Sequence, residues 1–355
     1  MTSAGFMETI LSLSLQITIL ICVAEGLSMT LKSFSNEYRL WALCHVLILL
    51  QFLAAFSLPH PRLLSNGFTQ PPQYIELVQK IESTLGQVIL IIWLCGMMVS
   101  MFALIMSTFR TIRVLNNSTV SAVELIEQGL LDDVNGKTVK LLISQAVQTP
   151  FCWQIHTPVI VLPERVLALS TQELSMIVRH EIEHLQAGHP LQLFLQRLVE
   201  ALFWFHPLVW WSSRQAVRSR EFYCDQKVVH DREDILIYLK SMLHLVENQV
   251  TDWKTLSAGF AYRNSSSLIQ QRIQHLTATQ QKHSDSQQRL SWRGPCILLT
   301  ALFCILLWLP VDVSASNRSF WSPWPRWSTN LLQSVGIPAR DYEIDGHRLR
   351  PHEHP

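Results

Sequence analysis

The chain has 355 residues, of which 48% are hydrophobic and only 15% are charged. Soluble domains carry about 25% charged residues, so this composition excludes an ordinary soluble protein and indicates a membrane protein with one extramembrane domain. The formal net charge of +1 excludes a polybasic nucleic-acid-binding protein, and no direct binding of nucleic acid is expected.

Four apolar runs predict four membrane-spanning helices. A signal peptide is the alternative for the first, residues 9–25, but the run lacks a preceding Lys or Arg and a following A-x-A site, which favours a span. Residues 40–58 and 83–109 are long enough to cross the hydrocarbon layer of about 30 Å. Residues 294–311 form the fourth run. The lipid bilayer is therefore an expected partner of this chain.

The four spans divide the rest of the chain between the two sides of the membrane. Three helices occupy residues 1–109, a large segment follows over 110–293, and a short Trp- and Pro-rich tail covers 312–355. Basic residues flank the large segment, whereas the loop 59–82 contains few of them. The positive-inside rule therefore predicts that the large segment is cytoplasmic and that the tail is extracytoplasmic.

The large segment is predicted to contain both strands and helices. Thr138–Gln145 and Val159–Leu162 are rich in β-branched residues, which is typical of strands. Ser170 followed by Glu173 forms the capping-box pattern that begins a helix, and this helix is expected to continue toward Gly188. Later helices are expected over 191–204, 208–229, 235–247 and 267–276.

The capped helix carries an HExxH motif formed by His180, Glu181 and His184. Side chains four residues apart leave one face of a helix a turn apart, so both imidazoles can bind one Zn²⁺ ion at about 2.0–2.1 Å. Glu181, next to the first histidine, is placed to act as a general base without being a ligand. The alternative is a polar helix face with two incidental histidines, and the apolar residues that flank the motif favour the metal site.

A catalytic zinc ion usually needs a third protein ligand, and several residues are candidates. His189 has the wrong spacing and is predicted to cap the C-terminus of the helix. Glu200 lies on a long apolar helix and is predicted to face solvent or lipid. Glu221 and Asp225 are one helical turn apart, so one can bind zinc while the other accepts the N–H of a ligating imidazole. From spacing alone, a surface cluster of charges explains this pair equally well.

Several blocks of the sequence, in order, resemble the BlaR/MecR-type integral-membrane zinc metallopeptidases, the family of the β-lactam-sensing antirepressors. The blocks are TPF and HTPVIVLP within residues 149–163, the region 169–184 around the HExxH motif, FWFHPLVW at 203–210 and REFYCD at 220–225. The resemblance extends over about residues 86–311. It implies that His180, His184 and Glu221 bind one Zn²⁺ ion, that Glu181 is the catalytic base and that Asp225 orients a ligating imidazole.

The same resemblance implies a multi-span α-helical membrane protein of the bacterial cytoplasmic membrane, with an inserted α+β zincin-like (gluzincin) metallopeptidase domain. The expected function is a signal-responsive zinc endopeptidase that cleaves itself or a cytoplasmic repressor-like protein. Its expected partners are a protein or peptide substrate and a transcriptional repressor. An extended substrate is expected to pair with a strand that we interpret as an edge strand, formed by Val159, Ile160, Val161 and Leu162.

One feature departs from the family's antibiotic receptors, which carry a penicillin-binding domain with a nucleophilic Ser and a nearby Lys. Residues 312–355 contain no Lys and therefore no Ser-x-x-Lys site, so β-lactam sensing is not expected. Two other functions stay open: a housekeeping quality-control membrane metalloprotease of the HtpX/prenyl-protease type, and a non-catalytic signalling or scaffold protein with structural zinc. The presence of Glu181 argues against the second of these.

Overall fold

The structure is a computed structural model, and it describes residues 3–30, 34–58, 72–120, 139–154, 157–247, 265–278, 293–309, 331 and 334–336. Nearly all of the tail 312–355 and most of the loop 59–82 lie outside these residues. Within the described part the chain is mostly helical, with one four-stranded sheet.

Three long helices are candidate membrane spans and are called the membrane helices below: α1 (Ser3–Ser28), α2 (Phe34–Ser57) and α3 (Pro72–Asn117). Their segments Gly5–Ser28, Asn36–Ser57 and Lys80–Asn117 are long and apolar enough to cross a bilayer. The first three predicted spans therefore coincide with helices of sufficient length. Helices α1 and α3 extend beyond their apolar runs at both ends, whereas α2 begins before its run and ends at Ser57.

The membrane helices differ in what surrounds them. Buried side chains such as Leu13, Ile17 and Trp41 join α1 to α2. Along α3, by contrast, large apolar side chains point outward, among them Val99 and Phe102. A helix with apolar residues all round is typical of a membrane span, so we expect this surface of α3 to meet lipid.

A small mixed sheet follows α3. Its strands lie in the spatial order β1 (Thr119–Val120), β2 (Lys140–Ser144), β4 (Val159–Pro163) and β3 (Phe151–Trp153). β2 and β4 are parallel, while β1 is antiparallel to β2 and β3 is antiparallel to β4. The two predicted strands are therefore present and pair directly with each other.

The prediction that Val159, Ile160, Val161 and Leu162 form an edge strand is wrong. They belong to β4, which pairs with β2 on one side and with β3 on the other, and every residue of β4 is buried. A strand that is apolar at every position is typical of a place in the interior of a sheet. Within the described sheet, the strand beside β4 and at the edge is β3.

Five described α-helices lie between the sheet and the last apolar helix: α4 (Thr171–Gln186), α5 (His189–Leu202), α6 (Pro207–Val228), α7 (Arg232–Glu247) and α8 (Ser265–Ala278). The predicted capping box at the start of α4 is confirmed, because Ser170 Oγ accepts the N–H of Glu173 and the Glu173 carboxylate accepts the N–H of Ser170. Gly188 joins α4 to α5 with a φ of 68°, a left-handed conformation that favours glycine.

A last apolar helix, α9 (Arg293–Ile305), coincides with the fourth predicted span but has only 13 helical residues. At 1.5 Å per residue it is about 20 Å long, which is shorter than the hydrocarbon layer of about 30 Å. The described chain continues without helix to Leu309, and Trp308 joins the buried cluster of α1 and α2. That α9 crosses the bilayer stays a prediction.

The helix with the HExxH motif, α4, lies between the sheet and the other helices. Its Val178 and Ile182 pack against Ile160 of β4 in one buried cluster. Helices α5 and α6 pack on the membrane helices in a different cluster, to which they contribute Val199 and Val209. The candidate site therefore lies where the sheet-bearing part of the chain meets the membrane helices.

Candidate metal centre

Three side chains predicted as metal ligands meet between α4 and α6. Nε2 of His180 lies 3.1 Å from Nε2 of His184, and the two carboxylate oxygens of Glu221 lie 3.5 Å from these nitrogens, one each. Tetrahedral ligands at about 2.0–2.1 Å from a zinc ion are about 3.3 Å from one another. The three side chains therefore have the spacing that one such ion requires.

The local sequence explains this convergence. His180 and His184 are one turn apart on α4, so both imidazoles leave the same face of that helix. Helix α6 packs across this face and supplies Glu221. Two imidazoles and one carboxylate leave a fourth position on the ion, which is the pattern of catalytic rather than structural zinc sites.

The charges around the cluster suit a cation. Burial lowers the pKa of His184 to about 3, so its imidazole is neutral at pH 7. Burial acts to raise the pKa of Glu221, but the Arg272 guanidinium and the two histidines hold it well below its usual range. Burial acts to lower the pKa of His180, but its hydrogen bond to Glu221 raises it. Because a ligating imidazole must be neutral, a metal that binds here competes with the proton for His180.

Glu181 lies beside the cluster without belonging to it. Its side chain is buried, and this burial raises the pKa of its carboxyl to about 7, with Glu221 acting in the same direction and His180 against it. Cys152 of β3 is hydrogen-bonded to the same carboxyl. A group with a pKa near neutral can accept a proton and return it at physiological pH.

Asp225 lies behind His180, on the side away from the cluster. Its Oδ1 is 3.5 Å from Nδ1 of His180 and accepts a hydrogen bond of 2.7 Å from the Tyr238 hydroxyl, which is itself 2.9 Å from that Nδ1. Arg272 of α8 donates to both oxygens of Asp225, at 2.8 and 2.6 Å, and lies 2.9 Å from Glu221. The carboxylate thus connects a candidate ligand to two further helices.

Tyr238 and Arg272 are functional candidates that the sequence analysis missed. They lie 13 and 47 residues beyond Asp225, on α7 and α8. Neither distance corresponds to a helical repeat or to a known ligand spacing, so no signal in the sequence could have associated them with the HExxH motif. Only the packing of α7 on α4 and of α8 on α6 brings them to the site.

The prediction that His189 caps the C-terminus of α4 is wrong. His189 is the first residue of α5 and is buried, with its Nδ1 2.8 Å from Nδ1 of His184 and 3.6 Å from Cys224 Sγ. The left-handed Gly188 reverses the chain within one residue, so the next side chain is directed back at α4 instead of at its carbonyl groups. His184, His189 and Cys224 form a second group of possible metal donors.

The prediction that Glu200 faces solvent or lipid is also wrong. Its side chain is buried between α5 and α6, where Arg197 donates to it at 2.7 Å and Gln196 donates at 3.0 Å. Gln196 in turn accepts a hydrogen bond of 2.6 Å from Arg220. Glu200 therefore belongs to a buried polar network that includes Arg220, the residue before Glu221. It does not join the cluster of His180, His184 and Glu221.

The sequence is similar to a peptidase family and to named bacterial proteins. Residues 8–276 match the sequence model of the BlaR1 peptidase M56 family. The chain is 23% identical over 159 residues to the regulatory protein BlaR1 of Bacillus licheniformis, which covers 44% of this chain and 26% of that protein. It is 25% identical over 176 residues to the methicillin resistance mecR1 protein of Staphylococcus aureus, which covers 48% and 30% respectively. The chain therefore matches less than a third of the length of these curated relatives.

Proposed function

Because the chain belongs to the BlaR1 peptidase M56 family, we propose that it is a zinc-dependent endopeptidase of the bacterial cytoplasmic membrane. The convergence of His180, His184 and Glu221 beside the buried Glu181 is the observation that carries this proposal. Two histidines, a carboxylate and an open position form a ligand set used by zinc peptidases. We propose one zinc ion per chain, with Asp225 and its neighbours fixing the direction of His180.

The proposed chemistry divides between the ion and the protein. When bound, the ion supplies Lewis acidity, which polarises a peptide carbonyl and lowers the pKa of water. Glu181 accepts a proton from the attacking water and passes it to the amine that leaves. Tyr238 and Arg272 hold His180 and Glu221 from behind, so the ligands keep their positions while a substrate binds.

The substrate is proposed to bind along β3 instead of β4. β3 is the edge of the described sheet, and Cys152 in the middle of β3 contacts the carboxyl of Glu181. Extended peptides add to such an edge through backbone hydrogen bonds, which position the chain without demanding one sequence. A peptide on this edge would present its carbonyl groups next to the candidate metal centre.

The similarity to a regulatory protein supports a regulatory role for the peptidase. We propose that it cleaves itself or a cytoplasmic repressor-like protein in response to a signal. The distribution of basic residues supports four spans, a peptidase domain over 110–293 on the cytoplasmic side and a tail over 312–355 on the other side. The mixed sheet packed on α4 supports an α+β, gluzincin-type domain.

The proposal is tested with Glu181→Gln in purified, zinc-loaded protein reconstituted into lipid. Glutamine cannot accept the proton, so cleavage of the chain itself and of fluorescent casein should fall by about 10²–10⁴-fold, while zinc content stays at the wild-type level. The matched control is Glu183→Gln on the same helix, where the half-buried side chain lies outside the cluster. Cleavage at the wild-type rate by a zinc-loaded Glu181→Gln protein would contradict the proposed mechanism.

A further inference from the structure

The α5–α6 hairpin, residues 189–228, has a composition unusual for a water-exposed part of a domain. Between Leu191 and Trp211 the only charged residues are Arg197 and Glu200, which pair at 2.7 Å and have little exposed surface. Apolar side chains lie outward on the same hairpin, among them Phe205 at its turn and Trp210 at the start of α6. This pattern is typical of a hairpin surrounded by lipid, in which paired charges face the interior.

The turn of the hairpin, residues 203–206, contacts the middle of the first membrane helix. Nε2 of His206 lies 3.3 Å from the carbonyl oxygen of Ser14 and 3.4 Å from the hydroxyl of Thr18. Both residues are near the centre of the apolar segment Gly5–Ser28 of α1. If α1 crosses the bilayer, the turn lies at about half its depth.

Contacts with the third membrane helix, α3, independently indicate the same depth for the turn. Trp93 donates from its indole to the carbonyl of Leu202 at 3.0 Å. The indole of Trp204 covers Gly96 so closely that a Cβ atom at this glycine would overlap it. Gly96 is the central residue of the charge-free run 83–109. Contacts with two different spans therefore place the turn near the middle of the apolar layer.

The opposite end of the hairpin is level with the end of a span. Tyr38, near the start of the apolar segment of α2, stacks edge-on against His189 and tilts against Tyr223, with ring centroids 4.8 and 4.7 Å apart. The distance from Pro207 to Glu221 along α6 is about 21 Å at 1.5 Å per residue. Half of the hydrocarbon layer is about 15 Å, so Glu221 would lie a few ångströms outside it.

Several backbone polar groups of the turn find partners inside the protein, as a bilayer requires of irregular backbone. The N–H of Phe203 bonds to the carbonyl of Val199, and the N–H of His206 bonds to the carbonyl of Phe203. The carbonyl of Trp204 accepts a hydrogen bond of 2.8 Å from the Trp210 indole. Irregular backbone is tolerated at membrane depth when it is covered and paired in this way.

We propose that the α5–α6 hairpin is re-entrant: it enters the bilayer from the face that carries the candidate metal centre, with its turn near mid-membrane. Phe205 and Trp210 then lie against lipid acyl chains, and the cluster of His180, His184 and Glu221 lies at the membrane surface. Part of the segment 110–293, predicted as a cytoplasmic domain, would thus lie within the membrane. The proposal concerns the position of the hairpin and does not depend on proteolysis.

Single cysteine substitutions and a charged, membrane-impermeant maleimide test this position in membranes opened to reagent on both sides. Phe205→Cys is the test variant, and Trp210→Cys on the adjoining helix is a second, independent one. Leu236→Cys on α7 is the water-exposed control and Val99→Cys on α3 is the lipid-facing control, since both side chains are 70% exposed in the protein. Wild-type membranes, labelled in parallel, give the background from the native cysteines.

Labelling of Phe205→Cys and Trp210→Cys should match that of Val99→Cys and be roughly tenfold or more slower than that of Leu236→Cys, because the reactive thiolate is disfavoured in hydrocarbon. All four variants should label rapidly after the membranes are dissolved in sodium dodecyl sulfate. Labelling of either hairpin variant in intact bilayers at the rate of Leu236→Cys would overturn the proposal. If one hairpin variant fails to accumulate, the other decides the outcome.

Discussion

Nδ1 of His189 lies 2.8 Å from Nδ1 of His184. His184 directs its other nitrogen, Nε2, toward His180 and Glu221. Coordination of a metal through Nε2 leaves the proton of His184 on Nδ1, so His189 becomes its acceptor. The Tyr238 hydroxyl contacts Nδ1 of His180 in the same way. Each proposed histidine ligand thus has an outer partner that fixes the direction of its ring.

This relationship predicts that His189→Leu weakens zinc binding by about 10–100-fold, since an outer partner of a ligating histidine is worth this much. His189→Asn keeps an oxygen acceptor near the position of Nδ1 and should lose less affinity. Zinc affinity is measured by competition with a chelator in purified protein. The absorption spectrum of the cobalt-substituted protein is a second readout, because it changes only if the ligand geometry changes.

The matched control is His206→Leu, which removes another buried histidine. The His206 side chain contacts Ser14 and Thr18 of α1 and takes no part in the cluster. Zinc affinity and the cobalt spectrum should stay at their wild-type values in this control. Wild-type zinc affinity in His189→Leu would show that the contact between the two imidazoles does not orient the ligand.

Features fixed by residues close in sequence could be predicted without the structure. The capping box needs only Ser170 and Glu173, and the shared face of His180 and His184 needs only the helical repeat. The long apolar runs also predicted α1, α2 and α3, since the length of a run and its lack of charge are visible directly.

Features fixed by distant contacts could not be predicted. Whether Val159–Leu162 is an edge or an interior strand depends on β3, which pairs with it only in the fold. Glu200 is buried because α6 packs on α5, and this packing brings Arg220 to Gln196, which donates to Glu200. The same holds for Arg272, which no sequence spacing associates with the metal centre.

The assignment of Glu221 as the third ligand predicts three different zinc contents. Glu221→Ala should leave the site largely empty, because two imidazoles alone leave the ion half-hydrated. Asp225→Ala should leave it partly filled, with a loss of about 10–100-fold in affinity. Glu200→Ala should retain zinc, since this carboxylate pairs with Arg197 instead. Atomic emission on the purified variants measures the contents, and full zinc in Glu221→Ala would remove this residue from the site.

Arg272 is predicted to stabilise the protein most when zinc is absent. Its guanidinium lies between the carboxylates of Glu221 and Asp225, at 2.9 and 2.6 Å. Arg272→Met leaves these buried charges unbalanced and should lower the free energy of unfolding of the zinc-free protein by about 3–5 kcal/mol. Zinc neutralises part of this charge, so the loss should be smaller in the loaded protein.

Chemical denaturation with and without zinc measures both values for Arg272→Met. Arg179→Met, at an exposed position on α4, is the control for loss of a positive charge and should change the unfolding free energy little. An equal loss for Arg272→Met in both zinc states would show that its contact with Glu221 does not compensate the charge at the metal centre.

The fourth span predicts that residues 145 and 334 lie on opposite sides of the membrane. Helix α9 itself covers only about 20 Å, but the apolar run continues beyond it to residue 311, and Arg293 at its start favours a cytoplasmic origin.

Green fluorescent protein fused after Gln145 should fluoresce, and alkaline phosphatase fused after Ser334 should be active, because the first folds in the cytoplasm and the second outside it. Each reporter at the other position is the control and should be inactive. Alkaline phosphatase that is inactive after Ser334, with green fluorescent protein active there, would mean that α9 packs on α1 and α2 without crossing the bilayer, and that the chain has three spans.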